Sequence, residues 1–443
     1  MNLLKNFATV GVATLVSRVL GFARDVFMAT MIGSGPIADA FFVAFRLPNL
    51  FRRLFAEGAF NAAFVPLFAR AVEEGGAPRA RAFAEEILAA LLFTLILVTA
   101  LAELAMPVLV YALAPGFADD PAKFGLSVDM TRIMFPYLLC MSLTAMASGM
   151  LNSMGRFALA GFVPSLLNVV LVGALAWIWL DGTAGTAEAA FVLSWAVCAA
   201  GFIQLGALVI GLRAIGFSLR PRRPRMTPGV KRLLVLGVPG VIAGGITQIN
   251  IVVGTIIAST QASAVSYLYY ADRLYQLPLG VVGVAIGVVL LPDITRQLRS
   301  ATPETAIHTQ NRALEFSMAL TLPAAVALMV VPVEVIRVLF ERGAFTAADS
   351  AATGAALAAY AAGLPAFVAI KVFQPGYFAR EDTKTPTIHA GISMVVNVGL
   401  ALALFPAFAH VGIAAATSVA PGSTRCCSPP VCCGAARSPR TAC

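Results

Sequence analysis

The 443-residue chain has a formal net charge of +9, is 59% hydrophobic and 12% charged, and has a mean hydropathy of +0.86. Soluble domains run near 25% charged, so this composition excludes one and specifies a polytopic membrane protein. The basic residues gather in short connections, as the positive-inside rule expects, so the excess is topological and implies no nucleic-acid partner.

Apolar stretches long enough to span a bilayer fall near 7–33, 36–69, 85–113, 126–153, 158–180 and 187–212. Lys5 precedes the first, but Arg18 and Arg24 interrupt it and no small-residue cleavage site follows cleanly, so it reads as a retained span rather than a signal peptide. Within 17–66, Arg18, Arg24, Asp25, Asp39, Arg46, Arg52, Arg53 and Glu57 lie among Phe, Val, Leu and Ala. Each costs about 2.5–3.5 kcal/mol facing lipid at the bilayer centre, so these charges are expected to face protein or a watery cavity and to be functional. On a helix turning about 100° per residue, Asp39, Arg46, Arg53 and Glu57 stay within roughly 40° of one line. Pro48 in that stripe predicts a kink or break, with Asn49 capping the second half-helix.

A proline-rich basic stretch follows the sixth span, and further spans lie near 233–259, 264–295, 313–340, 350–375 and 385–405, with a twelfth beginning at Val411. The expected organisation is an N-lobe over 1–214, a basic linker over 215–232, a C-lobe over 233–420 and a disordered tail over 421–443. The halves repeat at an offset of about 220 residues: Ala44-Phe45-Arg46-Leu47 matches Ala271-Asp272-Arg273-Leu274, and Val65-Pro66 is echoed by Leu291-Pro292. The fold class is therefore all-α and polytopic, with two six-helix lobes related by a pseudo-two-fold along the membrane normal, a central cationic cleft and a truncated C-terminus. The tail has five cysteines between Cys426 and Cys443 and no helical period, and is read as out of frame. Its adjacent cysteine pairs lack metal-binding spacing, while Cys140 and Cys198 read as core residues.

Glu103 and Lys371 read as snorkelling or pairing charges, and Tyr267, Tyr269, Tyr270 and Tyr275 as an interfacial belt. Among the charges of the expected cleft, Arg18, Arg24, Arg46, Arg52, Arg53 and Arg273 outnumber Asp25, Asp39, Glu57 and Asp272, which suits an anion. An intramembrane lipid-diphosphate transferase is a weaker alternative, because no acidic cluster for Mg²⁺ and no Ser/His pairing stands out.

The stretches SRVLGFARD at 17–25, ADAFFVAFRLPNLFRRLFAEGAFNAAFVP at 38–66, SYLYYADRLYQLPLGVVGVAIGVVLLP at 266–292 and REDTKTP at 380–386 resemble the MurJ/MviN family of lipid II flippases. That family lies within the multidrug/oligosaccharidyl-lipid/polysaccharide exporter superfamily. The resemblance implies a bacterial inner-membrane flippase, not an enzyme, whose substrate is an undecaprenyl diphosphate carrying a disaccharide-pentapeptide. It implies partners among membrane lipids and the cell-wall synthesis machinery. It places substrate contacts at Arg18, Arg24, Asp25, Asp39, Asn49, Arg52, Arg53, Glu57, Ser266 and Arg273, to which the charge stripe adds Arg46. No cofactor is implied, and Gly254 stands where some relatives carry an acid linked to sodium, which argues against sodium coupling by that route. An oligosaccharide-lipid or multidrug exporter of the same superfamily is the alternative. The family has fourteen spans, which the tail reading leaves two short.

Arg70, Arg79, Arg81, Arg156 and the basic linker share one side, against little more than Lys123 and Arg342 on the other, so the N-terminus and the linker are expected to be cytoplasmic. With the native cysteines replaced, a cysteine at Ala118 is expected to react with an impermeant thiol reagent on intact cells and one at Thr227 is not. The opposite pattern inverts the topology.

Overall fold

The computed structural model describes residues 3–53, 60–220, 222–285, 303–378, 382 and 384–423. Helices run in the order α1 (Leu3–Ile32), α2 (Pro36–Arg52), α3 (Asn61–Leu104), α4 (Met106–Leu113), α5 (Pro121–Met134), α6 (Tyr137–Ser153), α7 (Phe157–Asp181) and α8 (Ala187–Ala214). They continue with α9 (Pro228–Ser259), α10 (Ala264–Ala285), α11 (Pro303–Val330), α12 (Pro332–Phe340), α13 (Ala347–Phe378) and α14 (Lys384–Ser423). Among the described residues, 7 helices are long and apolar enough to cross a membrane. With Leu104, Trp177, Trp179 and Leu180 turned outward, the protein is an all-helical, multi-pass membrane protein. α1 and α2 are not among those seven, and they are the helices that carry the dense interior charge.

Local chemistry sets the helix ends. Asp120 caps α5, its Oδ1 accepting from Ala122 N and Lys123 N at 3.1 Å each, with Pro121 preset in the first turn. Thr186 and Thr227 cap α8 and α9 in the same way. Gly75 and Gly76 leave helical geometry and divide α3. Ala409, at φ 51° and ψ −136°, divides α14 close to where the sequence separates its eleventh and twelfth spans. Of the kink or break expected at Pro48, the break is absent, since α2 continues to Arg52. Asn49 does not cap a second helix there; its Nδ2 donates to Phe45 O at 2.7 Å, one turn back, within the turn the proline disturbs.

The chain divides into two compact units. The first comprises Met1–Tyr270 with Ile336–Ala351, and the second Ala271–Val335 with Ala352–Cys443. In the first, α1 lies along α7, and α3, α6, α8 and the start of α9 close on Phe64, Phe68, Ile87, Met150, Val163 and Leu212. In the second, Val368 and Val372 pack with Leu279, Leu314 and Met318, Tyr275 stacks on Tyr360 at 5.0 Å, and Ser418 Oγ donates to Ala359 O at 2.7 Å. The tyrosines of α10 are not an interfacial belt. Tyr269, Tyr270 and Tyr275 are buried, and the Tyr270 hydroxyl donates to Gly33 O at 2.9 Å beneath Phe340 and Phe345.

The loop between α1 and α2 meets the segment after α12. Ala344 N donates to Thr30 O at 2.9 Å, and the backbones approach so closely that side chains are excluded. A Cβ on Gly33 (φ +63°) would stand 2.4 Å from Ala344 O, and one on Gly343 (φ +59°) 2.4 Å from Thr30 O. Gly33→Ala and Gly343→Ala are each expected to destabilise the purified protein by about 1–3 kcal/mol. Thermal unfolding in detergent measures this, with Gly125→Ala, where a Cβ meets nothing within 4 Å, as the neutral control.

Candidate functional site

Arg24 and Asp25 lie about two turns before the C-terminal end of α1, both buried. A buried guanidinium must have its donors met, and Arg24 does so with Nε and Nη2 on Asp25 Oδ1 at 3.0 and 2.6 Å and Nη1 on Asn168 Oδ1 at 3.0 Å. The Tyr269 hydroxyl donates to the same Asp25 oxygen at 3.1 Å, and its ring stacks on Phe42 with centroids 3.8 Å apart. Asn168 is oriented in turn by donating from Nδ2 to Ser17 O at 3.0 Å. One arginine is thus aimed by α1, α7 and α10 together.

A second node forms at Asp39, fully buried in the first turn of α2. Its Oδ2 accepts from Lys123 Nζ at 2.7 Å and Ser263 N at 3.0 Å, and its Oδ1 from Ser266 N at 2.9 Å and Ser266 Oγ at 2.8 Å. The carboxylate therefore acts as an N-cap for α10 supplied by another helix. Ser263, at φ 60°, turns the chain so that these N–H groups face it. Lys123 also lies 3.9 Å above the Phe117 ring, so its charge is shared between a carboxylate and an aromatic face.

Further along α2 the side chains form a ladder. Arg46 donates to Thr255 on α9, Asn49 accepts from Arg52 Nε at 3.2 Å, and Arg53 is exposed. Arg18 on α1 is exposed as well. Of the expected site residues, Arg24 and Asp25 thus share one cluster, Asp39 and Ser266 another, and Arg46, Asn49 and Arg52 follow on α2. Arg273 is half-buried on the part of α10 that belongs to the second unit, where Gln276 donates to its neighbour Asp272. Glu57 lies outside the described residues.

Sequence reasoning missed Lys123 and Asn168. Lys123, read from the sequence as a connection charge, sits in the first turn of α5, buried beside Asp39. The signal was present, because a cation in a first helical turn opposes the helix dipole and needs a carboxylate. Asn168 is likewise a lone amide in an apolar span, which calls for a polar partner.

Breaking a buried ion pair strands the remaining charge. Lys123→Met is expected to lower stability by roughly 3–5 kcal/mol, and Lys123→Met with Asp39→Asn to lose less than the sum of the two. Thermal unfolding of the single and double variants checks both.

The sequence profile of the family described as "Lipid II flippase MurJ" matches residues 28–424. A probable lipid II flippase MurJ of Rhizobium meliloti (strain 1021) is 56% identical over 421 residues, covering 95% of this chain and 78% of the relative. One from Rickettsia prowazekii (strain Madrid E) is 34% identical over 420 residues, covering 95% of this chain and 82% of the relative. Among solved structures, a lipid II flippase MurJ in an inward closed conformation superposes with a TM-score of 0.81 at 25% identity, over 94% of this chain and 85% of that one. An inward-facing multidrug transporter of the MATE family shares the fold, with a TM-score of 0.71 at 13% identity over 92% of each chain. The chain belongs to the lipid II flippase MurJ family.

Proposed function

We propose that the chain moves lipid II across the bacterial inner membrane by alternating access, with the arginines of α1 and α2 receiving the diphosphate of its head group. The observation that carries this reading is the cation surplus. Over residues 17–57, five arginines stand against Asp25, Asp39 and Glu57, and Lys123 adds a further cation. An anionic head group matches that balance, and a cationic drug does not. Guanidinium forks match phosphate oxygens bidentately, and of these arginines Arg18 and Arg53 are exposed, while Arg24 is held by Asp25 and Asn168. Moving an intact lipid makes and breaks no bond, so the residues have only to bind and release; the chain is not an enzyme.

The same proposal includes two six-helix lobes related by the sequence repeat, Arg273 as the second half's counterpart of Arg46, and a cytoplasmic N-terminus. The repeat of Ala44-Phe45-Arg46-Leu47 at Ala271-Asp272-Arg273-Leu274 supports the first two, and the loop charge asymmetry supports the third.

The test replaces the residues equivalent to Arg18, Arg24 and Arg273 in a family member that is the cell's sole lipid II flippase. Alanine at each is expected to lower lipid II export by at least about tenfold, since a hydrogen bond to a charged group is worth about 1.5–3 kcal/mol. The protein level in the membrane is expected to hold at the Arg18 and Arg273 positions, while loss of Arg24 strands the buried Asp25 carboxylate, so that variant's export is read per unit of protein. Arg18 gives the clearest reading, being exposed and holding no buried acid in place. Lysine is expected to restore export only in part, because it keeps the charge and loses the fork. Full export with alanine at all three positions overturns the proposal.

A further inference from the structure

We infer that the connection between α8 and α9 is a preformed cationic strap that binds the phosphate head groups of anionic phospholipids at the membrane surface. Its first basis is fixation. Arg81 Nη2 donates to Gly216 O at 2.7 Å and lies over the Phe217 ring, which is itself buried against Phe68. Glu85, almost fully buried on α3, accepts from Arg220 N at 3.1 Å and pairs with Arg222 at 2.6 Å. Glu86 accepts from the Thr227 hydroxyl at 2.9 Å, where the strap becomes α9. A connection that only marked topology would need none of these anchors.

The second basis is the charge left over. No acidic residue occurs between Glu188 and Asp272, and Glu85 and Glu86, the α3 carboxylates that touch the strap, are engaged with Arg222, the strap backbone and Thr227. The nearby Glu74 already holds Arg70 at 2.5 Å and Arg79 at 2.8 Å. Arg213, Arg220, Arg223, Arg225, Lys231 and Arg232 remain exposed. Ordering this row without neutralising it leaves a single-sign array whose entropy cost on binding is already met.

The third basis is position. α8 ends at Ala214 and α9 starts at Pro228, and outward-facing Ile210, Met226, Leu234 and Val235 flank the strap. Phosphates beside apolar surface are what a phospholipid supplies, its head group on the arginines and its chains along the exposed helix faces. A free phosphate would satisfy the charge and leave the apolar collar bare.

The experiment uses the full 443-residue chain purified in detergent and native mass spectrometry. The probes are dioleoylphosphatidylglycerol, dioleoylphosphatidylcholine and inorganic phosphate. Phosphatidylglycerol adducts are expected to exceed phosphatidylcholine adducts, and Arg220→Gln with Arg223→Gln and Arg225→Gln is expected to cut their occupancy by about tenfold. The corresponding triple lysine variant, which keeps the charge, is expected to retain them, as is Arg337→Gln with Arg342→Gln, which removes exposed charge elsewhere. Inorganic phosphate is expected not to displace the lipid. The inference is overturned by any of four results: undiminished phosphatidylglycerol binding in the glutamine variant, loss in the lysine variant, equal loss in the Arg337/Arg342 variant, or displacement by phosphate alone.

Discussion

A carboxylate out of reach of water must find a donor for each of its oxygens, and Asp39 draws those donors from two other segments of the first unit. Lys123 comes from the start of α5, and Ser263 and Ser266 from the start of α10. Two helix beginnings and the first turn of α2 are fixed by one side chain as a result. Around that point the other close approaches fall into place. Gly116 N donates to Ser259 Oγ at 3.1 Å, Gly185 N to Met31 O at 2.7 Å and the Tyr267 hydroxyl to Asp349 Oδ1 at 3.1 Å. Each joins connections at this end of the unit, and the tight backbone contacts at Gly33 and Gly343 depend on the same alignment.

The cations of the first unit have two fates. Arg24 and Lys123 are buried and each is held by a carboxylate; Asp25 also accepts from the Tyr269 hydroxyl, and Lys123 itself lies over the Phe117 ring. Arg18 and the strap arginines are exposed and sit on backbone that other residues have already fixed. The buried pairs do structural work because removing either partner leaves a charge with nowhere to go. Exposed cations on a fixed frame suit ligands that arrive from outside, since solvation supports them until an anion replaces the water.

Much of the membrane character and the charge density of α1 and α2 was legible in the sequence, because apolar length and ionisable residues are local properties. The roles of those charges were not, because the partners are remote. Asp39 looked like one member of a ligand-facing stripe until Lys123, 84 positions away, and Ser266, 227 positions away, closed around it. Pro48 reads as a kink or break because the missing N–H and the ring clash are local properties, whereas the structure carries α2 on to Arg52, with Asn49 Nδ2 bonded to Phe45 O. The α10 tyrosines looked interfacial because Tyr is amphipathic, and whether each hydroxyl finds a carbonyl or carboxylate inside is a tertiary fact.

The first unit is discontinuous, and its last portion, Ile336–Ala351, carries Phe340, Gly343, Ala344 and Phe345 to the α1–α2 loop and Tyr270. A ribosome delivers residues in order, so that unit cannot close until about eighty residues after Tyr270 have been made. During that interval the Gly33 turn and the Tyr270 ring lack their final neighbours while residues 271–335 are still being made. Biogenesis of this protein is therefore a problem of holding an unfinished bundle open long enough for a distant segment to seal it.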